Sequence, residues 1–466
     1  MANTEMTMPM PDDTICAIST PPGTGGIAVA RISGSKALET AQRIWKGKRP
    51  ITEAAANTCL VGSVTDTCGE ELDQAVATVF RAPRSFTGED VVELSVHGSK
   101  WVQQELIMAL IGAGARIAEP GEFSRRAFAS GRMDLAQTEA VADIIASGSR
   151  AAQRVALRQM RGDFSKRIED MRGQLLELAA LLELELDFSE EDVEFASRKK
   201  LIELAVAVRT ATARLAAGFS AGTAIRDGVP VAIVGATNAG KSSLLNALSH
   251  DDRAIVSDVH GTTRDVVEDV ISIGDYTFRL KDTAGFRHTS DVVESLGIER
   301  SLRELREAAI VLLVTDSADM ERTPWDDVKR AMEENPEATL IIAANKCDIA
   351  TVPAFGDTLA SAVIATSART GEGIDELRNA ICDAAARLFA NGACGDTLVT
   401  NARHYKALKD ASEAAGRTID ALELNLPGDL VAQDLRECIS HLGTITGAIS
   451  TPDILQTIFS RFCIGK

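Results

Sequence analysis

A short motif in the middle of the chain combines glycine, lysine and hydroxyl side chains at spacings that suit a phosphorylated ligand. The segment Gly235-Ala-Thr-Asn-Ala-Gly-Lys-Ser242 fits the pattern G-x-x-x-x-G-K-[ST]. In this pattern, backbone N–H groups at a helix N-terminus surround phosphate, Lys241 neutralises the outer phosphates and the Ser242 hydroxyl can bind Mg²⁺. An apolar run over 229–234 precedes the motif, and a helix-forming run over 243–248 follows it. This context predicts a phosphate-binding loop and not only a glycine-rich turn.

Two further motifs predict which base is bound. Asn345-Lys-Cys-Asp348 follows a predicted strand, and its Asp348 carboxylate can accept hydrogen bonds from guanine N1–H and from the 2-amino group. Adenine cannot satisfy that carboxylate, so ATP would leave a buried charge unpaired. Ser367-Ala-Arg369 completes the base pocket, and the nucleotide is predicted to be GTP. The residues of these motifs predicted to bind nucleotide are Asn238, Ala239, Gly240, Lys241, Ser242, Ser243, Asn345, Lys346, Asp348, Ser367, Ala368 and Arg369.

Hydrolysis would depend on two segments around a further carboxylate. Asp282-Thr-Ala-Gly285 places an acidic group near Mg²⁺ and a glycine amide near the terminal phosphate. Gly261-Thr-Thr-Arg-Asp265 is polar enough for a switch loop whose threonine reaches Mg²⁺, and a solvated loop is the alternative. Phe286 stands where many signalling GTPases carry the Gln that orients the attacking water. The alternatives nearby are Arg287, His288, Asp291 and Glu294, and the residue types alone do not choose among them.

The elements that must position these motifs alternate between strands and helices. From 229 to about 389, β runs alternate with helical stretches, which predicts a parallel sheet wrapped by helices. Residues 13 to about 130 mix short β runs (27–32, 74–80 and 90–96) with turn clusters, which predicts a small α/β or α+β domain.

The remaining segments are predicted to be helical. Residues 134 to about 217 lack proline and carry leucines at helical spacing, such as Leu175, Leu178 and Leu182. The terminal segment 401–466 is helical again. The economical interpretation is that this segment completes a bundle begun at 134, which makes the intervening α/β domain an insertion.

Composition narrows the class of protein. The chain has 466 residues, 45% of them hydrophobic, and a formal net charge of −18. Such an acidic chain is not expected to hold nucleic acid through bulk electrostatics, so any contact with RNA should be local or assisted by a partner. The eight cysteines form no C-x-x-C pair, the first residues do not resemble a secretory signal, and the apolar run at 308–314 is far shorter than the roughly 20 residues that span a bilayer. The expectation is a cytoplasmic protein without a membrane segment.

The order of the motifs resembles the tRNA-modification GTPase family MnmE, also called TrmE. The resemblance covers essentially the whole chain, with one departure at Ala236-Thr237, where the family commonly has Arg-Pro or a similar pair. Besides the phosphate loop, it is carried by Asp13-Thr-Ile15, Thr20-Pro-Pro-Gly23, Ser85-Phe-Thr-Gly-Glu-Asp90, Pro120-Gly-Glu-Phe123, Asp134-Leu-Ala-Gln137 and Cys463-Ile-Gly-Lys466.

The resemblance implies a multidomain architecture of α/β and all-α parts. Residues 1–130 would form an N-terminal α/β domain that dimerises and binds a formyl-tetrahydrofolate derivative. Residues 131–225 and 389–466 would form a discontinuous helical bundle, and 226–388 an inserted Ras-like P-loop GTPase domain. The resemblance also implies a homodimer that acts with a flavin-dependent partner, MnmG (GidA), in a heterotetramer or larger complex. That complex would modify C5 of the wobble uridine in certain tRNAs, with an aminomethyl or carboxymethylaminomethyl group, coupled to potassium-stimulated GTP hydrolysis.

The same resemblance assigns roles to individual residues. K⁺ would be bound by Asn238, by the backbones of Ser257 and Val259, and by Thr262. Mg²⁺ would be bound by Ser242 and Thr263. Glu294 becomes the favoured water-positioning residue, and Cys463 a catalytic candidate. The implied folate ligands are Arg31, Glu93, Arg132 and Lys466; the implied nucleotide set adds Ser257, Thr262, Thr263, Asp282, Thr283, Ala284 and Gly285.

Other interpretations remain open at this point. A buried structural thiol is an alternative for Cys463, whereas Gly465 and Lys466 make a prenylation signal a poor fit. For the whole chain, one rival is a GTP-controlled ribosome-assembly switch. The lack of a strongly basic accessory domain disfavours that rival. A one-carbon enzyme with an inserted regulatory GTPase is the other.

Overall fold

The structure is a computed structural model that describes residues 13–187, 198–249, 269–282, 304–352, 355, 359–392, 397–460, 462 and 465. The chain divides into two compact units. Unit 1 comprises Met1–Ala142, Gln159–Asp170 and Gly443–Lys466, and unit 2 comprises Asp143–Arg158 and Met171–Leu442. The domain boundaries inferred from the sequence stay a prediction.

Unit 1 contains a seven-stranded sheet that is mainly antiparallel. Its strands follow the order β3-β4-β5-β6-β2-β1-β7, and only the pair of β1 and β7 is parallel. The predicted β runs 27–32, 74–80 and 90–96 coincide with β2, β5 and β6. The strands are β1 Ile15–Ile18, β2 Gly25–Ser33, β3 Trp45–Gly47, β4 Thr58–Thr65, β5 Glu71–Phe80, β6 Val91–Gly98 and β7 Arg116–Ile117.

Helices dominate the remaining described segments, and the helices predicted between 134 and 217 and after 401 are confirmed. Two short 3₁₀ helices occur at Ile51–Glu53 and Met320–Arg322. The α-helices are α1 Ala37–Ile44, α2 Lys100–Gly112, α3 Glu122–Ala129, α4 Leu135–Ala146, α5 Arg150–Met160, α6 Asp163–Asp187, α7 Arg198–Ala217, α8 Phe219–Asp227, α9 Lys241–Ser249, α10 Trp325–Glu334, α11 Ile374–Gly392, α12 Ala402–Glu423, α13 Gly428–Thr446 and α14 Pro452–Phe459.

The two faces of the unit 1 sheet have different partners. Alternate residues of β2 and β6, such as Ile32 and Leu94, are buried against α1 and α2 because side chains alternate between the faces of a strand. On the opposite face, Phe123 of α3 packs with Ile15 and Ala17 of β1. Helix α14 packs against α3, so a C-terminal segment of the chain lies beside the N-terminal sheet.

Unit 2 contains the predicted parallel sheet. Its order is β13-β12-β11-β8-β10-β9, and neighbouring strands are parallel except for the hairpin of β9 and β10. The strands are β8 Val229–Val234, β9 Asp269–Ile273, β10 Tyr276–Asp282, β11 Ile310–Asp316, β12 Thr339–Asn345 and β13 Ala362–Ala365. Strands β11 and β12 are continuous apolar runs because helices cover both faces of such a sheet.

Two contacts in unit 2 join segments that are distant in sequence. Helix α12 packs along α7, and Arg198 at the start of α7 donates hydrogen bonds to the carbonyls of Leu422 and Leu426. Helix α5 packs on the β9–β10 hairpin, where Ala151 N donates to Asp275 O at 3.0 Å. None of the helices in the described part of the chain is long and apolar enough to span a bilayer.

Candidate functional site

The phosphate loop joins β8 to α9, and two close backbone approaches explain its glycines. A Cβ atom on Gly235 would lie 2.2 Å from the carbonyl oxygen of Val314 in the neighbouring strand. Gly240 has φ of +94°, and its Cβ would lie 2.2 Å from Asn345 Nδ2. Only glycine fits such positions. The Lys241 ammonium group donates to the carbonyls of Gly235 at 2.8 Å and Ala236 at 3.0 Å, so it lies over the loop that would hold phosphate.

Two of the implied cation ligands, Asn238 and Ser242, lie on the described part of this loop and are exposed. Asn238 has φ of 67°, in the left-handed region, and its side chain is exposed. Ser242 and Ser243 are exposed in the first turn of α9. Amide and hydroxyl oxygens are suitable ligands for K⁺ and Mg²⁺. The described part of the cation site therefore fits the ions that the resemblance implies.

Asn345 ties the phosphate loop to the base-binding segment. Its side chain is buried, and Nδ2 donates to Ala239 O at 2.8 Å while Oδ1 accepts from Ala368 N at 3.1 Å. The Asn345 amide therefore connects the phosphate loop with the motif Ser367-Ala-Arg369, the third motif of the nucleotide site. The structure brings Ala239, Asn345 and Ala368 together, and their role in binding nucleotide stays a prediction.

Asp348 is oriented by two residues of the third motif. Its Oδ1 accepts a hydrogen bond from Ser367 Oγ at 2.7 Å, and its Oδ2 lies 2.6 Å from the Arg369 guanidinium. The Ser367 hydrogen bond and the Arg369 charge lower the pKa of Asp348 below its ordinary value. The carboxylate is therefore ionised at neutral pH, and both of its oxygens can only accept hydrogen bonds.

Lys346 adopts φ of 66° and binds a carboxylate that the sequence analysis did not identify. Its Nζ donates to Asp316 Oδ2 at 2.6 Å, and Asp316 Oδ1 accepts from Ala318 N at 3.0 Å. Burial acts to raise the pKa of Asp316, but the bond from Lys346 lowers it overall. The sequence signal was an acidic residue just after the apolar run 310–314, but its pairing with Asn345 follows only from the register of β11 and β12.

Asp282 is the last residue of β10, and its Cα pairs with that of Ile233. Its backbone therefore lies beside the end of β8, from which the phosphate loop leaves. The other residues predicted for hydrolysis and cation binding, together with two C-terminal ones, lie outside the described residues: Ser257, Val259, Thr262, Thr263, Thr283, Ala284, Gly285, Glu294, Cys463 and Lys466.

In unit 1, two of the implied folate ligands meet on adjacent strands. Arg31 of β2 and Glu93 of β6 are register partners, and their side chains form an ion pair at 2.8 Å. The Arg31 guanidinium also lies 5.1 Å from the ring centroid of Phe86 and 5.7 Å from that of Phe123. Both phenylalanines belong to motifs that carry the family resemblance, but neither is among the predicted site residues.

Arg132 is joined to the same region by the loop at 85–88. Its Nε donates to Ser85 O at 3.2 Å, and its Cγ lies 3.1 Å from where a Gly88 Cβ would stand. Phe86, between these residues, faces Arg31. Cationic groups and one carboxylate are thus gathered at this loop, which fits a ligand with a carboxylate tail and an amino-pyrimidine edge.

The described C-terminal residue Gly465 lies at the end of β1. Ser19 Oγ donates to Gly465 O at 3.0 Å, and a Cβ on Gly465 would lie 2.3 Å from Ile18 O. Ser19 N in turn donates to Val29 O, two residues before Arg31. The last glycine is therefore held one strand away from the strand that carries Arg31.

A buried ionic network supports this side of unit 1. Arg126 of α3 is 2% exposed, and its guanidinium donates to Asp13, Glu89 and Glu122 at distances from 2.6 to 3.2 Å. Glu122 is fully buried and also binds Arg116. Burial acts to raise the pKa of Glu122, but these partners lower it to about 2. The network joins the start of β1, the loop before β6 and helix α3.

Comparisons with known proteins identify relatives over nearly the full length. Residues 135–463 match the family model described as the MnmE helical domain, and residues 14–132 match the model described as GTP-binding protein TrmE N-terminus. A tRNA modification GTPase MnmE from Parabacteroides distasonis is 48% identical, covering 97% of this chain and 100% of the relative. A protein with the same description from Bacteroides thetaiotaomicron is 45% identical, covering 98% and 100%.

One solved structure matches a shorter part of the chain. The G domain of the T. maritima FeoB iron transporter is 29% identical and covers 34% of this chain and 98% of that chain, with a TM-score of 0.27.

Proposed function

The chain belongs to the MnmE (TrmE) family of tRNA modification GTPases, and we propose that it hydrolyses GTP to drive modification of C5 of the wobble uridine in certain tRNAs. The modification would add an aminomethyl or carboxymethylaminomethyl group. It would take place in the cytoplasm, in a complex of a homodimer of this chain with a flavin-dependent MnmG partner.

One observation carries the proposal of GTP as the substrate. Asp348 presents an ionised carboxylate held by Ser367, and Asn345 fixes that segment to the phosphate loop. Guanine offers two donors on one edge, whereas adenine offers an acceptor at N1. An ionised carboxylate can therefore accept hydrogen bonds from both guanine donors, whereas it cannot pair with the N1 acceptor of adenine. The Asn345 amide holds the base pocket against the phosphate loop, because it bonds to Ala239 and to Ala368.

The phosphates would be bound by the loop between β8 and α9. Its backbone N–H groups and the Lys241 ammonium would offset the charge of the phosphates, while Ser242 and Thr263 would hold Mg²⁺. Bound Mg²⁺ and K⁺ would supply positive charge against the charge that develops on the phosphates. We assign K⁺ to Asn238, Thr262 and the backbones of Ser257 and Val259; the exposed Asn238 amide supports this assignment.

The potassium assignment is tested by replacing K⁺ with Na⁺ at constant ionic strength. We expect GTP turnover to fall strongly, and Asn238→Ala to lower turnover in K⁺ more than it lowers nucleotide affinity. Thr237→Ala, also exposed on this loop, is the matched control and should retain turnover. Equal turnover in the two salts would remove K⁺ from the proposal.

The attacking water requires a positioning group because the Phe286 side chain has no polar atom. We propose Glu294, the residue that the family resemblance favours for this role. Glu294→Ala should reduce kcat by about 10² to 10⁴ with little change in GTP affinity. Arg287→Ala and His288→Ala are the controls. Unchanged turnover in Glu294→Ala would transfer the role to one of those residues or to the backbone.

We further propose that unit 1 binds a formyl-tetrahydrofolate derivative as a one-carbon donor. Arg31, Arg132 and Lys466 would bind its carboxylates, and Glu93 would accept from its amino-pyrimidine edge. Cys463 would act near this ligand as a nucleophilic or redox-active thiol. The gathering of Arg31, Glu93 and Arg132 around the 85–88 loop supports this assignment.

A nucleoside profile of tRNA tests the function directly. Cells that lack the protein should lose a C5-substituted wobble uridine, and the Asp348→Asn variant should fail to restore it. A ribosome-assembly switch, the alternative function, predicts intact wobble uridine with altered ribosomal particles. Hydrolysis by the purified chain should favour GTP over ATP; equal rates would contradict the base assignment.

A further inference from the structure

Arg369 forms an ion pair with Asp348, whose carboxylate is proposed to bind the base. Arg369 lies 2.6 Å from Asp348 Oδ2, while Ser367 Oγ holds Oδ1 at 2.7 Å. The Ser367 side chain is buried and its Oγ also accepts from Thr370 N at 3.2 Å. The Arg369 side chain, in contrast, is 76% exposed. A fixed hydroxyl therefore holds one oxygen, and a guanidinium that reaches in from the solvent side holds the other.

Guanine and a guanidinium group make the same demand on a carboxylate. Each presents N–H donors in one plane, and both approach the oxygens in the plane of the carboxylate. Guanine uses N1–H and the 2-amino group, so it needs both oxygens of Asp348. Hypoxanthine keeps N1–H but lacks the 2-amino group, so it needs one.

We propose that Arg369 is a specificity-determining residue that competes with guanine for Asp348. The inference rests on the proposed binding of guanine nucleotides by this site. Guanine must displace Arg369 from Oδ2 of Asp348. This displacement offsets part of the binding free energy that the guanine 2-amino group contributes. Hypoxanthine can bind while Arg369 keeps one oxygen. Arg369 thus weakens guanine binding and narrows the preference for guanine over hypoxanthine.

The test compares the affinities of GDP and IDP, measured by titration calorimetry on the full chain. Arg369→Ala should tighten GDP binding about two- to five-fold, the range for an exposed ion pair, and should leave IDP binding within about twofold. The GDP preference should rise accordingly. Arg369→Lys keeps the charge without the planar fork and should give an intermediate ratio.

Arg322→Ala is the matched control, because Arg322 is 74% exposed and pairs with Asp319 at 3.2 Å in the same unit. It removes the same charge and should leave both affinities unchanged. Weaker GDP binding by Arg369→Ala would mean that the arginine contacts the nucleotide, and an unchanged ratio would mean that it does not compete. Either result overturns the inference while the proposed function stands. Failure of the unmodified chain to bind GDP would instead overturn the proposed function.

Discussion

The guanine pocket of unit 2 and the candidate folate site of unit 1 both place an arginine on the carboxylate that would bind a heterocycle. In unit 2 the pair is Asp348 and Arg369; in unit 1 it is Glu93 and Arg31. The two arginines differ in exposure, because Arg369 is 76% exposed and Arg31 is 19% exposed. Only Arg31 lies on a strand whose register sets the pair.

Because of this difference, we expect a ligand to displace Arg369 from its carboxylate more easily than Arg31. Arg31 contacts two phenylalanine rings and a strand partner, so displacing it would break several contacts. Arg369 follows a strand end and reaches its partner from solvent. We therefore expect the unit 1 arginine to bind ligand as placed and the unit 2 arginine to be displaced by ligand.

The largest expected effect concerns the ionic network that supports the unit 1 site. Glu122→Gln should lower the free energy of unfolding by about 2 to 4 kcal/mol, because it removes a fully buried carboxylate from Arg126 and Arg116. The two arginines then keep Asp13 and Glu89 as acidic partners. Denaturant unfolding measures this change. Glu119→Gln, at a 64% exposed neighbour paired with Arg125, is the matched control and should cost less than about 1 kcal/mol. Equal costs would show that the network does not stabilise unit 1.

The same carboxylate predicts a pH dependence of stability. The pKa of Glu122 is about 2 in the folded chain against an ordinary value of 4.5, so the unfolded chain binds its proton first as pH falls. The stabilisation is complete above about pH 4.5 and is lost as the pH falls toward 2. Glu122→Gln should flatten the unfolding profile in this range, as followed by thermal unfolding. A profile with the same slope in both proteins would assign the acid sensitivity to other carboxylates.

A smaller effect is expected from Arg31 itself. Arg31→Ala should weaken binding of a formyl-tetrahydrofolate by about 10- to 100-fold, the range for losing a charged hydrogen bond, with GDP affinity unchanged. Arg31→Lys should recover part of the loss, because it keeps the charge but not the planar group over the rings. Fluorescence titration of both ligands checks the separation. A gain in folate affinity would give Arg31 the competing role assigned to Arg369 and would remove the contrast between the two sites.

The residues of the guanine pocket could be predicted from the sequence more directly than those of the candidate folate site. Asn345 and Asp348 were predictable because the residues of a phosphate loop and a base-binding motif are contiguous and follow apolar strands. Arg31 and Glu93 are 62 positions apart, and their meeting depends on the pairing of β2 with β6. Residue types alone could not supply that register, so their assignment came only from the family resemblance.

Other features carried too little local signal. The buried Arg126 stands in a short helix beside another arginine, and nothing in that spacing distinguishes the buried from the exposed one. The packing of α5 on the β9–β10 hairpin depends on tertiary contact between Ala151 and Asp275. Periodicity predicts the helix but not its partner, because many apolar surfaces would fit it.

Asp348 is proposed to select guanine, and exchanging the base of the nucleotide tests this role. In Asp348→Asn, the amide N–H would face the 2-amino group of guanine but would donate to the 2-carbonyl of xanthine. We expect GDP affinity to fall by about 10² to 10⁴, because one charged hydrogen bond is lost and the other loses its charge. Xanthosine diphosphate should become the preferred ligand.

Asp316→Asn is the control for this measurement, because Asp316 binds Lys346 and not the base. It should weaken both nucleotides alike without reversing the preference. If Asp348→Asn still prefers GDP in a direct competition between the two diphosphates, Asp348 does not select guanine.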